Sequence, residues 1–215
     1  MQLQSVQVIV TAGPTVEPID AVRRLTNHST GRLGCRLADT LSRAGHKVTL
    51  LLSQSAQHKP RRKLAQITPF LTTQDLRLAL RNLRHERKCT IFHAAAVSDY
   101  IISSIQSGSK SFTPNEGKIS TQTGQLRIDL KPAPKIIRQL PRWFPAANIV
   151  GWKYEVDGTP GTAIQKARLQ VKSNRTHASV VNGPAYGKGY ALVTANTETH
   201  ITGDIALFRK LARQL

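Results

Sequence analysis

Between Thr11 and Gly34 the chain gathers residues suited to gripping an anion and acting beside it. These are Thr11-Ala-Gly-Pro-Thr15, then Asp20, Arg23 and the run Asn27-His-Ser-Thr-Gly-Arg-Leu-Gly34. An apolar β-branched run, Val6 to Val10, precedes them, and a segment of helical period begins near Leu33. A strand, a polar loop and a helix N-terminus form a natural phosphate seat, because first-turn N–H groups point outward and the helix dipole favours an anion. Asp20, Arg23 and Asn27 exceed what a bare phosphate grip requires, and that surplus of polar groups predicts a reaction centre. Ser29 or Thr30 would cap the helix, while Gly31 and Gly34 leave room for a ligand. The alternative is a capped helix with nothing bound, and His28 reads as a solvated neighbour.

A second candidate segment is Ala94-Ala-Ala-Val-Ser-Asp-Tyr100. Small residues at a strand end let a substrate reach the backbone, and Asp99 would stand at the mouth of the site. On its own the segment reads equally well as tight packing with Asp99 capping a turn.

An NAD(P)-dependent oxidoreductase is a natural rival for such a chain. However, the glycines are Gly13, Gly31 and Gly34 rather than a compact G-x-G-x-x-G. The second strand ends in Leu51-Leu-Ser-Gln54, without the acidic residue that would hold an adenosine ribose.

These residues need a scaffold, and apolar runs alternate with helical stretches almost throughout. Strands are predicted over Val6–Thr11, Lys47–Leu52, Thr90–Ala94, Asn148–Trp152 and Ser179–Val181. Helices are predicted over Arg32–Ala44, Thr73–Glu86, Lys135–Leu140, Thr162–Lys172 and Asp204–Gln214. The alternation predicts an α/β fold, a Rossmann-like, mostly parallel sheet with helices on both faces. Loops after Val10, Ala94 and Val150 should then meet at the carboxyl edge, where ligands bind in such sheets. Residues 103–125, polar and rich in Gly, Ser and Thr with no apolar period, read as a mobile flap. Tyr190–Thr194 and Glu198–Thr202 flank a polar turn and predict a C-terminal β-hairpin.

The 215 residues, 40% of them hydrophobic, suit a single domain over 1–215 with a sizeable core. No apolar stretch approaches the roughly 18 residues that cross a bilayer. Cys35 and Cys89 lie far apart and form no metal-ligand pattern. With no secretory leader in the opening residues, the expected location is cytoplasmic. The net charge of +19 invites a nucleic-acid reading. Yet no zinc-finger, helix-turn-helix or aromatic RNA-binding signature accompanies it, so a solvated basic face, or a field that draws small anions, is the better account. A basic nucleic-acid-binding domain without enzymatic activity remains the alternative from another class.

Taken together, the segments resemble the phosphopantothenoylcysteine synthetase family. The resemblance rests on eight segments in order: Thr11–Thr15, Val22-Arg23, Asn27–Gly34, Ala95–Tyr100, Lys118-Ile119, Pro134–Ile136, Gly151–Glu155 and Val180–Asn182. It implies a dimeric ligase of coenzyme A synthesis that joins 4′-phosphopantothenate to cysteine through an acyl-nucleotide, using CTP or ATP with Mg2+. No dedicated metal ligand is implied, and Asp99 is the one carboxylate suggested as a contributor.

The same resemblance carries roles onto residues. Asn27 would contact the reacting carboxyl and serve the second step, while Ala95, Ala96 and Asp99 would wall the pantothenate chain. Arg23 would reach the substrate phosphate across the dimer. Gly13, Ser29, Gly31, Gly34, Trp152 and Asn182 would form the nucleotide site, and Lys118 would bring charge from the flap for acyl-nucleotide formation. Trp152 alone would read as core. The chain departs from bacterial relatives in lacking a K-x-K-K flap and in the spacing of Lys166, Arg168 and Lys172. Those departures leave the choice between CTP and ATP open. The length further implies a free-standing ligase without a fused decarboxylase.

Overall fold

A computed structural model describes residues 5–85, 87–213 and 215. The chain opens with β1 (Gln7–Ala12) and two short strands, β2 (Val16–Pro18) and β3 (Arg24–Thr26), which pair with each other before α1 (Arg32–Arg43). Next come β4 (Lys47–Ser53), β5 (Gln66–Phe70), α2 (Thr73–Asn82) and β6 (Cys89–His93). A separate antiparallel sheet follows from β7 (Tyr100–Ser107), β8 (Lys110–Phe112) and β9 (Leu126–Pro132). The chain then runs through α3 (Ile136–Trp143), β10 (Ala147–Tyr154), α4 (Pro160–Asn174) and β11 (Ala178–Asn182). A hairpin of β12 (Tyr190–Val193) and β13 (Glu198–Ile201) leads into α5 (Asp204–Ala212).

The main sheet has eight strands in the order β13-β12-β11-β10-β6-β1-β4-β5. From β5 to β11 all pairings are parallel, and the terminal hairpin is antiparallel. The parallel part therefore has the doubly wound order 3-2-1-4-5-6, whose switch point lies between β1 and β6. At that point the connections leave in opposite directions, opening a crevice beyond the carboxyl ends of the two strands.

Alternation along each strand sorts side chains to two faces. Val8, Val10, Leu50, Phe92 and Val180 join Leu37 and Leu41 of α1 and Leu207 and Leu211 of α5 in one core. Ile9, Leu51, Ile91 and Ile149 join Leu76 and Leu80 of α2 and Leu140 of α3 in the other. Ala163 and Ala167 let α4 lie close over Val181 and Val193. The expected layers and the C-terminal hairpin are those observed.

Three expectations are corrected. Residues 103–125 include the end of β7, all of β8 and a short 3-10 turn at Thr121–Thr123, so about half of the segment is regular and the rest is loop. Its strands are exposed on much of both faces, which hides the apolar alternation. Helix α2 ends at Asn82 and α5 at Ala212, short of the expected limits; Glu86 and Gln214 lie outside the described residues. The N-cap of α1 is Gly31 rather than Ser29 or Thr30, although Thr30 Oγ1 accepts from the Arg32 N–H at 3.4 Å. Gly31 has φ +75°, a left-handed conformation that a side chain would strain.

Candidate functional site

The loop after β1 and the segment after β6 are laced together across the switch point. Ala96 donates to the Gly13 carbonyl at 3.0 Å, and Thr15 donates to the Ala96 carbonyl at 3.1 Å. Asn27, exposed at the rim, reaches the same strip: its Nδ2 donates to the Val97 carbonyl at 3.2 Å, with the Ala96 carbonyl at 3.5 Å. Gly13, Asn27, Ala95 and Ala96 thus share one crevice, although 69 positions separate Asn27 from Ala96.

Buried hydroxyls of Thr11 and Thr15, the ends of the first segment noted in the sequence, fix this strip from below. Thr11 Oγ1 accepts from the Ala95 N–H at 3.1 Å and lies 3.0 Å from His93 Nδ1. Burial pushes the His93 pKa down to about 4, so the ring is neutral. The Thr11 hydroxyl thus bridges the Ala95 N–H and the neutral His93 ring. Thr15 Oγ1 similarly accepts from the Ser98 N–H at 2.8 Å and from Thr73 Oγ1 at 3.0 Å. A Thr spaced four residues from another along a strand exit was the available signal.

The α1 entrance borders the crevice. Ser29 is half-buried there, and the Thr30 carbonyl accepts from the Gln57 and His58 N–H groups, each at 3.1 Å. Gly34 serves packing: a Cβ there would lie 2.6 Å from Ala12 Cβ and 3.1 Å from the Thr11 carbonyl oxygen. The space expected for a ligand at Gly34 is therefore filled by β1.

Trp152 and Asn182 lie further along the sheet, on the face that carries α1. Trp152 packs against the α1/α5 core, and in the β10–β11 register it sits opposite Val180, two residues before Asn182. The Trp152 Nε1 and Asn182 Oδ1 atoms are both buried without a hydrogen-bond partner among the described residues. An unpaired donor and an unpaired acceptor within a protein interior are costly unless a ligand completes them. Asn182 also lines a cleft of about 530 Å³ with Tyr154, Lys188, Tyr190 and Asp204.

Beside this cleft, Glu155 forms ion pairs with Lys153, at 2.9 Å, and with Lys166. Burial raises the Glu155 pKa, but the two ammonium groups outweigh it and hold the carboxyl below its ordinary value. Glu155 is shared between the two lysines, so the trio keeps one net positive charge beside the cleft.

The flap contributes Lys118, which is exposed and forms no ion pair among the described residues. Its neighbours are fastened to the loop after β1. Asp20, with its side chain fully buried, takes the Arg23 guanidinium at 2.5 Å, and Arg23 Nη2 also donates to the Ile119 carbonyl at 2.7 Å. The Arg23 guanidinium holds the Asp20 carboxyl well below the usual carboxylate range. Asp99 is exposed and ion-paired with Lys135. Among the described residues no three His, Cys, Asp or Glu side chains cluster to hold a metal ion, and no helix is long and apolar enough to cross a membrane.

Comparison with known proteins places the chain in a family. A family described as the DNA/pantothenate metabolism flavoprotein C-terminal domain matches residues 3–206. The coenzyme A biosynthesis bifunctional protein CoaBC of Thermococcus kodakarensis is 30% identical over 181 residues, covering 84% of this chain and 42% of that protein. Its counterpart in Bacillus subtilis is 28% identical over 199 residues, covering 89% of this chain and 45% of its own. The chain thus spans less than half the length of these two relatives. A crystal structure of the DNA/pantothenate metabolism flavoprotein from Streptococcus pneumoniae superposes with a TM-score of 0.85 at 27% identity, covering 98% of both chains.

Proposed function

Because the chain belongs to the family of the DNA/pantothenate metabolism flavoprotein C-terminal domain, we propose that it joins 4′-phosphopantothenate to L-cysteine, consuming CTP or ATP. The observation that carries this reading is the placement of Asn27 against the Ala96-Val97 strip at the β1/β6 switch point. That strip is where a doubly wound sheet binds its ligand.

In the first step a carboxylate oxygen of 4′-phosphopantothenate attacks the α-phosphorus, and pyrophosphate leaves. In the second, the cysteine amine attacks the acyl carbon, the nucleoside monophosphate departs, and the amine proton passes to solvent. Asn27 contacts the acyl group: one Nδ2 proton is committed to Val97, and the other is available to charge that develops on the carbonyl oxygen. Ala95, Ala96 and Asp99 wall the pantothenate arm. Arg23 faces the substrate phosphate of a second subunit with Nη1, which makes no contact among the described residues.

Gly13, Ser29 and Gly31 border the nucleotide, with α1's first-turn N–H groups toward its phosphates. Gly34 allows α1 to approach, Lys118 neutralises the triphosphate, and Trp152 and Asn182 contribute the unpaired donor and acceptor described above. A magnesium ion bound to the triphosphate would offset its charge, and no residue of this chain is assigned to hold it. Dimerisation is supported by exposed apolar side chains on one face of the small sheet, Tyr100 at 52% and Leu130 at 43%. A cytoplasmic setting follows from the substrates.

Pyrophosphate release from CTP and from ATP, each with 4′-phosphopantothenate and with or without cysteine, tests the reading. Release that depends on phosphopantothenate supports it and identifies the nucleotide; no release with either overturns it.

A further inference from the structure

Among the described residues Asp20 is the most heavily hydrogen-bonded carboxylate, yet none of its bonds reaches the Asn27 strip or the cleft at Asn182. Its Oδ1 accepts from the backbone N–H groups of Val22, at 2.9 Å, and Arg23, at 2.8 Å. Its Oδ2 accepts from Arg23 Nε at 3.0 Å, Arg23 Nη2 at 2.5 Å and the Ile119 N–H at 3.1 Å. One oxygen therefore shapes the turn that carries Arg23, and the other fastens that turn to the flap.

Two further bonds complete the seam. The Ala21 N–H donates to the Gly117 carbonyl at 2.8 Å, and Arg23 Nη2 donates to the Ile119 carbonyl at 2.7 Å. Lys118 is thereby bracketed: the residues on either side of it are bonded to the 20–23 turn, while its own side chain stays exposed. A flexible lysine delivers charge to a defined point only if its backbone is fixed.

We propose that Asp20 is the positioning residue for both Arg23 and Lys118, a single buried carboxylate that sets two phosphate-facing cations in register. The proposal rests on the ligase reading only for what those cations act upon. It does not place Asp20 in contact with any substrate.

The test is Asp20→Asn, alone and combined with Lys118→Gln. Whichever way the amide turns, an NH2 group replaces one acceptor, so either the turn or the flap loses its bonds. If Asp20 acts through Lys118, D20N lowers single-turnover pyrophosphate release about tenfold or more, with KM for cysteine unchanged. The double variant then loses clearly less than the product of the two single losses, because the share of Asp20 that acts through Lys118 is already gone and only the share carried by Arg23 remains to be lost. Hydrogen exchange of the Ile119 amide speeds up in Asp20→Ala, which removes both acceptors, whether or not the protein is a ligase.

Wild-type pyrophosphate release in D20N, losses that multiply in the double variant, or unchanged Ile119 exchange in D20A would each overturn the proposal. Should D20N fail to fold, Asp20→Glu keeps the charge while displacing the carboxyl, and the same non-additivity is expected of it. Absence of pyrophosphate release from the wild-type chain would defeat the ligase reading, leaving the exchange measurement to judge the seam.

Discussion

Asn27 donates to the carbonyl oxygen of Val97 at 3.2 Å, which ties the loop after β1 to the segment after β6 at the sheet's switch point. The bond uses one amide proton and sets the direction of the other. That relationship, rather than any property of Asn27 alone, makes it the residue on which acyl transfer is expected to depend.

Asn27→Asp replaces the donor with a carboxylate facing two carbonyl oxygens. Pyrophosphate release should persist, while amide formation falls by roughly 100- to 1,000-fold, the usual cost of losing one donor to a developing charge. Acyl-nucleotide accumulation, read by quenched-flow chromatography, checks this; normal product formation would rule it out.

Lys118→Gln should slow pyrophosphate release by roughly 100-fold and leave thermal stability unchanged, since the side chain is exposed. A melting curve and a pyrophosphate assay separate the two effects.

Gly34→Ala places a methyl 2.6 Å from Ala12 Cβ, and both sides of that contact are buried regular structure. Helix α1 must move away from β1, at a cost of about 1–3 kcal/mol. The urea midpoint should fall without a change in slope.

His93 supplies a pH dependence. Its native pKa, near 4, lies below the ordinary 6.5, so the unfolded chain takes up its proton first as pH falls. Stability contributed by the neutral ring is fully present above pH 6.5 and declines between 6.5 and about 4, by about 3 kcal/mol in all. Denaturant titrations at stepped pH should show this slope in the wild type and a shallower one in His93→Gln.

Much of the scaffold was legible because its signals are local. Val6 to Val10 is a buried strand whose apolar run reads directly, and α1 shows its period from Leu33 onward. Asn27 and the Ala95–Asp99 strip were legible as types of residue, but their meeting depends on strand order, which no local pattern carries. Strand β5 was missed because Gln66-Ile-Thr-Pro-Phe70 is short, partly exposed and interrupted by Pro69. The Asp20 seam was hidden for another reason: its partner lies 99 positions away in a segment with no apolar period.

The two margins of the eight-stranded sheet bear on how this chain behaves at high concentration. Strand β5 closes one margin and carries Pro69, which has no N–H to offer a newcomer. Strand β13 closes the other, with Glu198, Thr199 and His200 all exposed and Glu198 ion-paired to Arg168. Proline and charge at the borders are how natural sheets discourage neighbours from adding themselves strand by strand. A sheet this broad is thereby protected from templating fibrils, and Pro69→Val with Glu198→Val should convert it into one that seeds them.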